Sequence, residues 1–371
     1  MRDYYPSVLL YGNDSKLLEK FCNCIRFSTH CNYVVVSNKE PICTEGYEYI
    51  KWIDLNDIQL SKDIKADAII KFDDSKILVS DNGDFLNHEA SNHQASDEIM
   101  KLQFILSEHI DTNCFNSLIE YVGDLRDYIV FFDILIDFEG DVNVIGGVKV
   151  AKAKDGCDHY VFDPRKLASL EFFKKIKSAD LKESTLLSLE ISECEINGMY
   201  TQCSFNKFFT HWEIYRAVGI NVPLILVQNL LHRKIKTYKF VDSSSLVFRG
   251  NNLKPEFNFD FDTIYFDLDE TLVWNWKPIT ELVEFLHDQR KKGITLKIIT
   301  RHTYDVSETL TKIGLKCEFF KRIIVVTPHE LKSSHITDNS IFIDNEFPQR
   351  LDVRLKNRIP VLDLDQIDFF Y

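Results

Sequence analysis

Residues Thr263–Phe266 (TIYF), β-rich and mostly apolar, run straight into Asp267-Leu268-Asp269-Glu270-Thr271. A strand buried along its length but ending on two carboxylates needs its end to open onto a site, because unpaired buried charge is costly. Open parallel α/β sheets meet this demand by placing their chemistry at the carboxyl ends of the strands. The pattern then repeats along the chain. Thr295–Ile299 ends at Thr300-Arg301, Arg322–Val326 leads to a loop carrying Lys332, and Ser340–Ile343 ends at Asp344-Asn345-Glu346. Helical spacing over Ile279–Lys291 and Val306–Ile313 supplies the crossovers. Residues 260–371 are therefore expected to form a doubly wound parallel sheet on whose edge Asp267, Asp269, Thr300, Lys332 and Asp344 converge.

The four strand-end motifs, DLDET, IIT, Lys332 and FIDNE, resemble those of the haloacid dehalogenase superfamily of phosphatases and phosphotransferases. That resemblance implies an α/β fold with a Rossmann-like sheet and a phosphohydrolase with an aspartyl-phosphate intermediate. Asp267 is then the nucleophile, and Asp269 the acid that protonates the leaving oxygen and later activates water. Thr300, Arg301 and Lys332 hold the phosphoryl oxygens. Asp267, Asp269 and Asp344 bind Mg2+, a hard cation that prefers oxygen donors. Blander readings stand beside these: a solvated pair of strand-end aspartates, a helix cap at Thr300, and Lys316 or Lys321 in place of Lys332. Asn345 stands where many members of that superfamily carry a second aspartate, with Glu346 next to it to compensate. Between Thr271 and Thr300 lie only residues 272–299, enough for a helix and a strand but not for a cap domain. The preceding domain is thus the expected lid.

The N-terminal part reads as strand, helix, strand over residues 7–36, with a further strand at Ala66–Phe72, which suggests a parallel sheet. Residues 80–97 read as a polar loop. Two long strands meet at Glu139-Gly140-Asp141, Leu167–Leu187 reads as a helix, and Leu189–Ile196 with Met199–Phe205 as another strand pair. Trp212–Leu231 is helical, broken by Gly219 and Pro223. Residues 128–235 resemble, more weakly, the end of an ATP-grasp domain of the carbamoyl-phosphate-synthase type. Where that family carries magnesium-binding carboxylate and asparagine ligands, this chain has Gln202-Cys203-Ser204-Phe205-Asn206-Lys207. No glycine-rich phosphate loop appears between 95 and 125, and Gly146-Gly147 is too short to be one. The implied fold is a degenerate, α+β ATP-grasp-like domain over 1–245. A linker follows over 246–259, then the phosphatase-like domain over 260–371, built without a cap. Asp133, Asp137 and Glu139 read as alternating polar positions of a half-buried strand rather than a metal cluster.

Composition narrows the partners. A net charge of −13, from 44 basic and 57 acidic residues, argues against a nucleic-acid partner, which a basic face would recruit. No apolar run approaches the roughly 20 residues that span a bilayer, and nothing near Met1 resembles a signal peptide. The nine cysteines include no Cys-x-x-Cys pair and suit free thiols in a reducing cytoplasm. The expected partner is a small phosphorylated metabolite. By fold-level analogy alone it is a sugar phosphate or nucleotide sugar of surface polysaccharide biosynthesis. Two alternatives remain: an ATP-dependent carboxylate–amine ligase with an altered ATP site, and a non-catalytic binding protein.

Overall fold

A computed structural model describes residues 6–12, 15–27, 31–37, 50–54, 66, 68–73, 76–81, 112–123, 128–137, 139–151, 159–177, 185–192, 202–206, 211–249, 254–337 and 339–371. The chain divides into two compact units. Unit 1 takes the residues up to Arg216 together with Ile220–Tyr238. Unit 2 takes Ala217–Gly219, Lys239–Arg249 and Lys254–Tyr371. The stretch expected to be a linker instead holds an antiparallel pair, β11 (Leu246–Arg249) and β12 (Lys254–Phe257), both in unit 2. Phe257, Phe259 and Phe261 contact Phe370 there, at ring-centroid distances of 5.0, 6.0 and 5.9 Å. A run with turn chemistry is thus tied down by aromatic packing.

Among the described residues, unit 1 carries two sheets. In the first, β1 (Ser7–Gly12), β2 (Asn32–Ser37), β3 (Ile50–Asp54) and β4 (Ala68–Asp73) are parallel in the order β3-β2-β1-β4. β5 (Lys76–Asp81) pairs antiparallel with β4. Residues 80 and 81, expected in a loop, end this strand, and the rest of that expected loop lies outside the described residues. Helix α1 (Ser15–Ile25) provides the crossover from β1 to β2, burying Leu18, Phe21 and Ile25. Phe21 meets Phe72 of β4 at 5.1 Å. At the end of β1, a Cβ on Gly12 would collide with the Phe72 carbonyl oxygen, so this close approach of two backbones needs glycine.

The second sheet is antiparallel, in the order β10-β9-β6-β7-β8. Its strands are β6 (Tyr128–Ile136), β7 (Val142–Ala151), β8 (His159–Phe162), β9 (Thr185–Ser192) and β10 (Gln202–Asn206). The β6–β7 turn is held by Asp137, whose Oδ1 accepts from the amides of Glu139 and Asp141 at 3.0 and 2.8 Å. That settles Asp137 as a turn residue. Helix α2 (Thr112–Val122) packs by Leu118 and Val122 into a core shared with Phe132, Leu167, Phe173 and Leu189. The single helix expected over 167–187 is two short ones, α3 (Pro164–Ser169) and α4 (Glu171–Lys177). From Thr185 the chain is already β9. A short apolar run fits both periods, and pairing against β6 decides in favour of the strand. Helices α5 (Trp212–Ala217) and α6 (Val222–Leu230) flank the break at Gly219. Pro223 lies at the start of α6, with Asn221 as its cap, and does not interrupt it.

Unit 2 holds one all-parallel sheet in the order β17-β16-β13-β18-β19. The strands are β13 (Thr263–Phe266), β16 (Thr295–Thr300), β17 (Arg322–Val325), β18 (Ser340–Ile343) and β19 (Val361–Leu362). Helices α7 (Thr280–Lys291), α8 (Val306–Lys312) and α9 (Phe347–Asn357) connect them. β13 and β18 are buried along their whole length, as both-face coverage of a parallel sheet requires. Between β13 and α7 a two-residue hairpin, β14 (Val273–Trp274) and β15 (Lys277–Pro278), projects from the strand end.

Candidate functional site at the edge of the parallel sheet

β13, the central strand of unit 2, delivers Asp267, and its neighbours β18 and β16 deliver Asp344 and Thr300. Lys332 arrives on a short turn, Lys332–His335, that precedes β18. Its ammonium, only 2% exposed, lies 2.7 Å from Asp344 Oδ2 and 3.0 Å from Asp267 Oδ1. The structure thus brings Asp267, Asp344 and Lys332 together at the strand ends, with Thr300 closing the neighbouring strand β16 and its hydroxyl accepting from the His302 amide at 3.1 Å. Asp344 is further fixed by the Glu346 amide, which donates to its Oδ1 at 2.7 Å. Arg350 donates to the Asp344 carbonyl at 2.6 Å and pairs with Asp363 at 2.7 Å.

Two buried carboxylates face one ammonium, which leaves an excess negative charge. Desolvation pushes the Asp344 carboxyl up to about 7, with Asp267 adding to the rise and Lys332 opposing it. Desolvation raises Asp267 as well, against the pull of Lys332. Burial works to lower the Lys332 ammonium, but the two aspartates prevail and hold it above its ordinary value. A second cation would relieve the surplus, and oxygen donors suit a hard divalent ion. Asp267 and Asp344 fit that role.

Asp269 does not join them. Its side chain is 53% exposed, and its two oxygens lie 2.8 and 3.0 Å from His302 Nδ1. His302 Nε2 in turn meets the buried Thr309 hydroxyl at 2.7 Å. Among the described residues no three His, Cys, Asp or Glu side chains gather closely enough to hold a metal ion. The expected trio of aspartates is therefore a pair in this structure, with Asp269 committed to a histidine. Arg301 also departs from expectation: its Nη2 donates to the Glu330 carbonyl at 2.8 Å. Its guanidinium acts as a brace for the loop that carries Lys332.

Asn345 takes a structural part. It accepts from the Thr271 hydroxyl at 3.1 Å, its amide donates back to that oxygen at 3.2 Å, and its Nδ2 donates to Glu270 at 3.2 Å. The loops after β13 and β18 are stitched together by a neutral side chain that can donate and accept at once. Aspartate could not supply the Nδ2 donor.

In unit 1, Asp133, expected as one of the alternating polar positions of a half-buried strand, is buried on β6. It lies opposite Ser188 of β9 and Gly146 of β7, where the register shifts. Burial raises its carboxyl to about 6, with the nearby Tyr215 and Ser188 hydroxyls pulling the other way. A Cβ on Gly146 would sit 2.5 Å from the Tyr215 ring, so the glycine leaves the space that the buried tyrosine ring occupies beside β7. The stretch expected to align with ATP-grasp metal ligands includes β10, and residues 95–111 lie outside the described residues.

No family model matches the chain, and no curated protein matches it. Among solved structures it is similar to the L-amino acid ligase of Bacillus licheniformis, at 11% identity over 67% of this chain and 77% of that one, with a TM-score of 0.35. It is also similar to the phosphoribosylaminoimidazole carboxylase ATPase subunit of Aquifex aeolicus, at 12% identity over 62% and 78%, TM-score 0.37. A third is the N5-carboxyaminoimidazole synthetase of Staphylococcus aureus, at 9% identity over 63% and 79%, TM-score 0.37. These are a ligase, a carboxylase subunit and a synthetase; none is a phosphatase. The expectation that this chain is a phosphohydrolase is corrected on that finding. With TM-scores this low, the likenesses assign neither a fold nor an activity to the chain.

Proposed function

We propose that the edge of the unit 2 sheet binds Mg2+ together with the phosphoryl group of a small phosphorylated metabolite, on a sheet of the haloacid dehalogenase type. The observation that carries this reading is the Asp267–Lys332–Asp344 cluster at the strand ends, with its surplus negative charge. Asp267 and Asp344 would hold the ion, which when bound supplies positive charge for phosphoryl oxygens. Lys332 and the Thr300 hydroxyl would face the same oxygens, a cation and a donor suited to an anion. Calorimetric titration of Mg2+ tests the metal half. Asp344→Asn keeps the shape of the site but removes one charge, and is expected to weaken Mg2+ at least ~10-fold, about 1.4 kcal/mol. Equal Mg2+ binding by the variant would sink the assignment.

A second reading concerns unit 1. Its parallel sheet followed by an antiparallel one is the arrangement expected of an ATP-grasp-like ligase, and the similar solved structures carry ligase and synthetase names. On this reading unit 1 uses ATP to join a carboxylate to an amine. ADP release from Mg2+-ATP, assayed over a panel of amino acids, is expected to require both a carboxylate and an amine. ADP release that ignores both would remove the ligase from consideration.

A further inference from the structure

Outward from Asp269 runs a line of rings for which cation and phosphate binding has no use. His302 holds Asp269 at 2.8 Å, and the His302 and Tyr304 rings lie 5.6 Å apart. Tyr304 is 5.8 Å from Trp276, and the Lys312 ammonium sits 4.4 Å from the Trp276 ring centre. Both end aromatics are open to solvent, Trp276 at 48% and Tyr304 at 68%. They come from different elements: Trp276 from the β14–β15 hairpin, Tyr304 from the loop between β16 and α8.

The hairpin is bound closely to the site. Asp269 bridges Val273, the first residue of β14, and the Glu270 amide donates to the Val273 carbonyl at 2.8 Å. Its two central residues, Asn275 and Trp276, have φ of 46° and 62°, as a tight two-residue hairpin turn requires. Asparagine tolerates that region, but a bulky residue there is an outlier. Glycine at 276 would relieve the backbone and give up only the indole. Strain of this kind collects where a side chain has to be displayed. An indole with an ammonium beside it and a phenol ring alongside is a stacking surface for a flat π system.

Building on the phosphate-binding reading, we infer that Trp276 and Tyr304 form a platform for the base of a nucleotide whose phosphate lies at Asp267, Lys332 and Asp344. A base is favoured over a bare sugar because it alone brings a π face to two aromatic rings, and stacking of this kind accepts any base. Tyr304 and Trp276 would then set specificity, while Asp267, Asp344 and Lys332 hold the charged end.

Calorimetry in Mg2+ with AMP, CMP and ribose 5-phosphate separates the two ideas, since ribose 5-phosphate carries the same phosphate and sugar without a base. Wild type is expected to bind both nucleotides ~10-fold more tightly than ribose 5-phosphate. Trp276→Asn, which suits the turn, should erase that preference and leave the affinity for ribose 5-phosphate unchanged. Tyr304→Ala should reduce the preference in part. Wild type binding all three equally, with Mg2+ required, would overturn the platform and spare the phosphate site. Unchanged nucleotide preference in Trp276→Asn would overturn it too. Binding of none of the three would overturn both readings together.

Discussion

Lys332→Met is expected to lower the stability of unit 2 by roughly 3–5 kcal/mol, because it leaves two buried carboxylates without their shared partner. Methionine fills much of the same volume, so little of that loss would come from a cavity. Asp344 is fully buried and Asp267 nearly so, so water cannot take the place of the ammonium without opening the sheet edge. Urea unfolding followed by tryptophan fluorescence reads the loss. Mg2+ should return part of it in the variant, since an ion that binds the folded state stabilises it. A shift equivalent to less than about 1 kcal/mol would mean that the carboxylates are far less dependent on Lys332 than a buried pair should be.

Asp133→Asn is expected to stabilise unit 1 at neutral pH and to do little in acid. Burial holds the Asp133 carboxyl near 6 in the folded chain, opposed by the Tyr215 and Ser188 hydroxyls. An unfolded aspartate titrates near 3.9. The folded state therefore binds the extra proton, and this group's stability is fully present below about 4. It is lost as pH rises through about 6, at a cost of about 3 kcal/mol above that. Asparagine cannot ionise, so the variant should gain up to about 3 kcal/mol at pH 7.5 and only about 1 kcal/mol at pH 4.5. Urea midpoints at the two pH values measure the difference. An equal change at both would show that Asp133 is held by packing and not by its charge.

Much of the unit 2 site could be read from sequence because charge at the end of a buried strand has few explanations. Asp267, Thr300 and Asp344 each follow an apolar run, and Lys332 lies on the turn before β18. His302 could not be found that way. A lone histidine two residues past a strand carries no periodic signal, and its role depends on Asp269, which is distant in sequence, and on Thr309 one helix further on. The β14–β15 hairpin was equally hidden, since its Asn-Trp turn lacks the glycine that usually marks one. Asn345 drew notice as a missing charge, but its contribution is a donor amide, visible only once Glu270 and Thr271 lie beside it. In unit 1 the apolar residues from Thr185 fit both the strand and the helix period, so local pattern places them at the tail of a helix. Pairing with β6 is a tertiary choice that local pattern does not contain.

The claim that a cation and a phosphoryl group share the edge of the unit 2 sheet is tested most directly by titrating inorganic phosphate into the intact chain, with and without Mg2+, by calorimetry. Saturable binding that weakens at least ~10-fold without Mg2+, and is lost in Asp344→Asn, is the expected result. Phosphate binding indifferent to Mg2+ and unchanged in Asp344→Asn would contradict the account.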